Sequence, residues 1–287
     1  MGQSSAAEHA EYRTRQREQW AISAQAWKRW WARFEEGAGA LSKRIVSAAG
    51  IEPGMRVLDL CTGLGEPGLR VARAVGSAGR VVGADLARPM LEFARERAAE
   101  ARLSNISFAE MEGEHLGLAA QAFDAATFRW GPMLMDDPVA SLREVRRVLK
   151  PGARLGVSVW GTGKEVPFIA LAGIVAEEIG GIARPPPGTP GPLRMGRAGE
   201  LETALADAGF TDVRCEAVEV VMSFTSAAQY VEFTRDASTT LRQKLDQQPE
   251  AVRTGVWKEL ERRAGELAET SGELRLSNRC WCAGARA

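Results

Sequence analysis

Histidine is nearly absent from this chain, with two residues, His9 and His115, in 287. Two imidazoles cannot build a histidine-rich metal site. Cysteine is scarce too. Cys61, Cys215, Cys280 and Cys282 are too few for a disulfide framework in a chain this long. Structural zinc favours ligand pairs with two to four residues between them, and Cys280 and Cys282 have only one, so the four read as small buried hydrophobes. An excess of charge of either sign is missing, since 37 basic residues balance 37 acidic ones. That argues against a nucleic-acid partner, which usually draws a basic excess. No apolar run reaches the ~18 residues that suggest a membrane span. Met1 to Gln19 is polar and charged, without the apolar core of a signal peptide. A cytoplasmic protein with no membrane span is expected, and nothing in the sequence sets its oligomeric state. The length suits one large domain, or one domain with a lid.

What the chain does have is concentrated between Val57 and Gly68. Val57 to Leu60 is an apolar run of strand length. Gly63, Gly65 and Gly68 then form G-x-G-x-x-G, and a helical pattern begins near Glu66. Glycine permits a sharp turn and lets backbone amides approach a ligand, because no Cβ intervenes. By itself this pattern also fits an ordinary strand–helix turn. Asp59 sharpens it. A dinucleotide loop needs open amides for a pyrophosphate, whereas an acid beside the loop suits a cationic ligand. Asp85 lies 20 residues after Gly65 and closes the next apolar run, Val81 to Ala84. An acid at that spacing can accept hydrogen bonds from two ribose hydroxyls.

Together these residues resemble the first two motifs of class I S-adenosylmethionine (SAM) methyltransferases. The string Glu144-Val145-Arg146-Arg147-Val148-Leu149-Lys150-Pro151-Gly152 resembles a segment of their small-molecule group, most closely the ubiquinone- and menaquinone-biosynthesis enzymes. Ala153 replaces a second glycine there. The resemblance covers roughly residues 50–160. It implies SAM as cofactor, with Asp59, Thr62, Gly63 and Gly65 at its methionine end. Asp85 and Leu86 would lie at the ribose, and Met90 on the adenine. Glu112 would accept from the adenine amino group and Gly113 would meet a ring nitrogen, with Glu110 as the rival acid. Arg129 and Trp130 would border the transfer site. No catalytic base is assigned. The Asn/Asp-Pro-Pro-Tyr/Phe tetrapeptide that holds a planar amino group in many nucleic-acid and protein methyltransferases is missing after the fourth strand. That lowers the expectation of base or amide N-methylation.

Residues 1–15 read as a mobile, charged leader. Glu18 to Phe34 is helical and dense in aromatics, and a second helix spans Gly39 to Ala49. Lysine and arginine among aromatics can signal nucleic acid, but a helix packing its aromatic side on the main domain is the better reading. In the resembling family such a helix covers the pocket. Trp27, Trp30, Trp130 and Met133 are accordingly the candidate substrate contacts. Asp137 reads as the cap of the helix that follows it. The proline-rich stretch 180–196 cannot continue a helix and is either a connector or a wall of the site. Thr211 to Phe224 changes the parity of its apolar positions, which predicts a bulge or register change.

The expected fold is α/β, a Rossmann-like, doubly wound seven-stranded sheet whose last strand is antiparallel, with N-terminal helices and a helical lid. The boundaries are 1–50 for an N-terminal helical cap and 51–225 for the SAM-binding core, with an insertion at 161–196. A lid follows at 226–270 and a closing strand at 271–287. The expected reaction is in-line transfer of the SAM methyl group to a small, partly apolar molecule through O, C, N or S, with S-adenosylhomocysteine (SAH) as product. The alternatives are an NAD(P)-dependent oxidoreductase and a SAM-binding protein without catalysis.

Overall fold

The computed structural model describes residues 6–186 and 188–287, with side chains from residue 10 onward. The first five residues and the His9 side chain, assigned from sequence to a leader, lie outside the described part. In chain order the elements are α1 (Ala6–Ala48), β1 (Arg56–Leu60), α2 (Gly68–Val75), β2 (Arg80–Asp85), α3 (Arg88–Glu100), β3 (Ile106–Glu110) and β4 (Phe123–Arg129). A 3-10 turn at Pro132–Leu134 leads to α4 (Pro138–Val148), β5 (Leu149–Trp160), α5 (Pro167–Gly180), α6 (Glu200–Asp207) and β6 (Thr211–Phe224). The chain closes with α7 (Ala227–Ala237), α8 (Thr239–Asp246), α9 (Glu250–Glu266) and β7 (Leu274–Arg286).

Seven strands form one sheet in the order β3-β2-β1-β4-β5-β7-β6. β7 runs antiparallel to both of its neighbours, and the remaining pairs are parallel. Strand order reverses between β1 and β4, whose carboxyl ends carry the glycine loop and the Arg129–Met133 turn. In open α/β sheets that crevice is where ligands bind. The central strands are buried on both faces: Val57, Leu58, Leu60, Ala125, Ala126 and Phe128 are inaccessible to solvent, as sheets covered by helices on both sides require.

Two features of the sequence mislead. The first is Gly37-Ala38-Gly39, where a helix break is expected. Instead α1 is one helix of 43 residues, and the expected leader contributes its residues 6–15. A Cβ on Gly37 would lie 2.5 Å from the Val221 carbonyl oxygen and 2.8 Å from Met222 Sδ, whereas one on Gly39 would meet nothing within 4 Å. Gly37 therefore marks the close crossing of α1 over β6, not a helix end. Gly156 on β5 allows a second close approach, farther along α1, because a Cβ there would collide with the Ile45 carbonyl.

The second is β6. Its ladder to β7 is continuous from Arg214 to Phe224, and the irregularity lies earlier, between Thr211 and Arg214. The parity change has another cause: the two faces of this edge strand are covered in turn. Val213 and Cys215 are half-buried at the α6 end, while Val220, Met222 and Phe224 are buried farther along, where α1 crosses. Lys150-Pro151-Gly152 lies within β5, as an irregularity against Phe123–Ala125.

Candidate cofactor and acceptor site

Asp59 lies near the end of β1, beneath the loop, and is fully buried. Its Oδ2 accepts from the Thr62 hydroxyl at 2.6 Å and from the Gly68 amide at 2.8 Å, and its Oδ1 accepts from the Thr127 hydroxyl at 2.6 Å. The carboxylate thus closes the glycine loop onto the first turn of α2, where the helix dipole favours negative charge. Gly68 has a defined reason to be glycine: a Cβ there would lie 2.7 Å from Asp59 Oδ2. The structure places Asp59 and Thr62 beneath the loop, so any effect of Asp59 on a ligand acts through space and through the loop's shape. Burial pushes its pKa up to about 6, against the lowering effect of the Thr127 and Thr62 hydroxyls, the Arg129 charge and the Gly68 amide.

Gly63 and Gly65 both have positive φ, 52° and 95°, conformations that favour glycine. Asp85, half-buried at the end of β2, accepts from the Gly63 amide at 2.9 Å through Oδ2 and from the Ala87 amide at 3.0 Å through Oδ1. Burial raises its pKa too, against those backbone bonds. Each carboxylate oxygen has a second lone pair, so the group retains capacity for further donors. Leu86 is half-buried beside it, and Met90 is buried in a cluster with Ala24, Ala87 and Phe93.

α1 lies across this crevice. Trp20 and Trp27 pack on the Met90 cluster together with Leu64. Glu112, assigned from sequence to the adenine edge, pairs with Arg13 at 2.9 Å and Arg17 at 3.1 Å. Glu110, the rival, is more exposed and reaches Arg17 at 3.5 Å. Gly113 is buried, and a Cβ there would lie 2.8 Å from Met135 Sδ. The sequence reading missed Arg13 and Arg17, which stand nearly 100 positions before their partners. It also missed Glu114, a buried acid that accepts from the Asp137 amide at 2.9 Å and whose pKa burial raises. Asp137 caps α4 by accepting from the Ala140 amide at 2.9 Å.

At the β4 end, Arg129 is gripped by α1. Its Nη1 donates to Glu35 at 2.9 Å and to the Ser42 hydroxyl at 2.8 Å, and Nη2 donates to the second Glu35 oxygen. Burial opposes the guanidinium charge, but Glu35 more than offsets it and the pKa stands above its usual value. Glu35 carried no signal in the sequence. Glu66 is a parallel case: it pairs with Arg97 at 3.0 Å, and the Arg97 guanidinium lies 3.9 Å from the centre of the Trp31 ring on α1.

Trp130 follows Arg129 with φ 55°, a strained value for a bulky residue. That geometry lays its ring flat on Trp160, centroids 4.3 Å apart. Phe34 meets Trp130 edge-on at 5.2 Å and Trp27 at 5.0 Å. Phe168 and Phe233 continue the aromatic wall toward α7. Met133 is buried in the 3-10 turn. Trp30 differs from Trp27: its ring N–H donates to Asp236 at 2.8 Å, which ties α1 to α7. The end of the proline-rich stretch docks on the same turn, with the Gly191 amide 3.0 Å from the Met133 carbonyl and Arg194 2.7 Å from the Met135 carbonyl. Among the described residues, no cluster of His, Cys, Asp and Glu could hold a metal ion.

Residues 40–166 match the ubiE/COQ5 methyltransferase family. The 2-phytyl-1,4-naphtoquinone methyltransferase of Trichormus variabilis is 43% identical over 109 residues, which is 38% of this chain and 48% of that protein. The ubiquinone/menaquinone biosynthesis C-methyltransferase UbiE of Cellvibrio japonicus is 36% identical over 121 residues, 42% of this chain and 49% of that protein. From the end of α1 through β5, the chain is similar to this family. The chain spans about half the length of the curated relatives it matches. The front of α1, the proline-rich stretch and α7–α9 all lie outside the matched segment. By fold, the chain is similar to the [4+2]-cyclase SpnF, at TM-score 0.54 and 22% identity, covering 86% of this chain and 81% of that one. That likeness is one of fold, and a fold does not choose its reaction. Among the described residues no helix is long and apolar enough to cross a membrane.

Proposed function

We propose that the protein transfers the methyl group of SAM to a small acceptor with a planar, partly apolar ring, releasing SAH. The observation that carries this reading is the glycine loop clamped by Asp59 and Asp85 at the reversal of strand order, beside an aromatic wall and not a polar groove. The quinone-ring substrates named for the relatives support the acceptor class.

In this reading Gly63 and Gly65 offer backbone to the methionine end and Asp85 holds the ribose. Met90 packs on the adenine, and Glu112 with Gly113 reads its edge once Arg13 and Arg17 make room. Buried Asp59 favours the positive sulfonium over neutral SAH through space. Trp27, Trp130 and Met133 line the acceptor side, while Arg129 and Trp30 fix α1 over it. The nucleophile attacks the methyl carbon as the C–S bond breaks, and the electron pair leaves with sulfur. The protein's contribution is alignment and exclusion of water. The segment α7–α9 acts as the lid, 1–50 as the cap and 51–225 as the core. We place the enzyme in the cytoplasm, consistent with its four free thiols. A thermal shift with SAM and SAH, and none with NAD, is expected. A shift with NAD alone overturns the assignment.

A further inference from the structure

Trp27 holds a position that no other described residue shares. It packs both on the Met90 cluster, at the cofactor side, and on the main core with its aromatic wall. Its ring meets Phe34 edge-on at 5.0 Å and Phe233 edge-on at 5.9 Å. Its Nε1 is shut off from solvent and has no hydrogen-bond acceptor in reach. A buried donor left unpaired is costly, and native proteins seldom tolerate one without a use.

Two other tryptophans sharpen the contrast. Trp30, one turn along α1, satisfies its N–H on Asp236. The Trp130 N–H also lacks a partner, but its ring is stacked on Trp160 within the main core and takes no part in the Met90 cluster. Trp27 is therefore the orphan donor located between cofactor and acceptor.

An indole N–H donates and cannot accept. It suits an oxygen and rejects an ammonium or amide N–H. The surrounding ring edges and faces suit a flat apolar body. Arg129, whose guanidinium lies 5.1 Å from the Trp130 ring centre, is already paired with Glu35, so a fully charged carboxylate gains little from it. We propose that the Trp27 N–H donates to a carbonyl or phenolic oxygen of an aromatic methyl acceptor and so sets which ring atom faces the sulfonium. This inference rests on the acceptor-site reading above.

The test uses the full chain, labelled with 15N at its eight indoles and saturated with SAH. The Trp27 signal is assigned from Trp27→Phe, which keeps a ring and removes the donor. The probes are 1-tetralone, 1-naphthol and naphthalene. The Trp27 N–H signal should move downfield with the two oxygenated rings and not with naphthalene. Trp27→Phe, shown folded by circular dichroism, should weaken 1-tetralone binding about 3- to 10-fold, the range of one neutral hydrogen bond, and leave naphthalene unchanged. Equal movement with all three probes, no movement with any, or unaltered 1-tetralone affinity in Trp27→Phe each overturns the proposal. Because the readout is binding, failure of methyl transfer with this signature intact would count against the reaction and not against the contact.

Discussion

Replacing Asp59 by asparagine should change stability in a way that depends on pH. In the folded protein the carboxyl titrates near 6, because burial opposes its charge, and in the unfolded chain it titrates near 3.9. Since the folded pKa is the higher, the stability contributed by the neutral group is fully present below about pH 4 and lost as pH rises through about 6. The penalty for ionising it grows from about 1 kcal/mol near pH 4.5 to about 3 kcal/mol near pH 7.5. Asparagine carries no such penalty. Its oxygen can take the Oδ2 position and accept from Thr62 and Gly68, while its nitrogen faces the Thr127 hydroxyl. That nitrogen can donate to the Thr127 oxygen, so the bond is reversed and the cost is at most about 1 kcal/mol. Urea unfolding of both proteins across this range should show the stability difference moving by about 2 kcal/mol in favour of Asp59→Asn as pH rises. A constant difference would refute the account of Asp59 as a buried, reluctantly charged clamp.

Ligand binding should separate the two acids. Asp85→Ala should weaken SAM and SAH alike, at least severalfold, since a hydrogen bond to a charged group is worth ~1.5–3 kcal/mol; unchanged affinity by calorimetry in a folded variant would remove its ribose role. Asp59→Asn should instead weaken SAM more than SAH above about pH 6, where the carboxyl is charged, and an equal effect on both would contradict the through-space role. Glu35→Ala leaves the Arg129 charge buried and should cost about 3–5 kcal/mol in denaturant melts, with most of the loss recovered in Glu35→Ala/Arg129→Met. Gly37→Ala should destabilise by about 1–3 kcal/mol through its clash with β6, whereas Gly39→Ala should stabilise by up to about 1 kcal/mol; thermal unfolding of the pair distinguishes a helix crossing from a helix break.

The sheet and its loop were legible because their signals are local. Apolar runs of strand length, glycines at fixed offsets and an acid closing the second strand are all read within about 30 residues. The antiparallel last strand came with the family resemblance and is present. The contacts made by α1 were not legible. Arg13 and Arg17 meet Glu112, and Glu35 meets Arg129, across nearly 100 positions, and no periodicity encodes such pairs. Composition misled at Gly37 and Gly39, where one glycine serves a tight crossing and the other sits in open space. The buried partners of Asp59 were hidden for a related reason. The sequence marks an acid beside the loop, but only the fold brings Thr127 from β4 beneath it. Trp27 and Trp30 look alike in sequence, three residues apart on one helix. Only the position of Asp236, on α7, separates a satisfied indole from an orphaned one.

The central claim is methyl transfer from a cofactor held by the loop at residues 61–66, and the most direct measurement follows the methyl group itself. The protein would be incubated with methyl-labelled SAM and a panel of hydroxylated naphthalenes and benzenes, with label in the ring product and SAH quantified together. The account predicts label appearing in an aromatic product in equal amount to the SAH formed, and its loss in Asp85→Ala at sub-saturating SAM. SAM that binds at the loop yet yields neither labelled product nor SAH with any acceptor in the panel would contradict it.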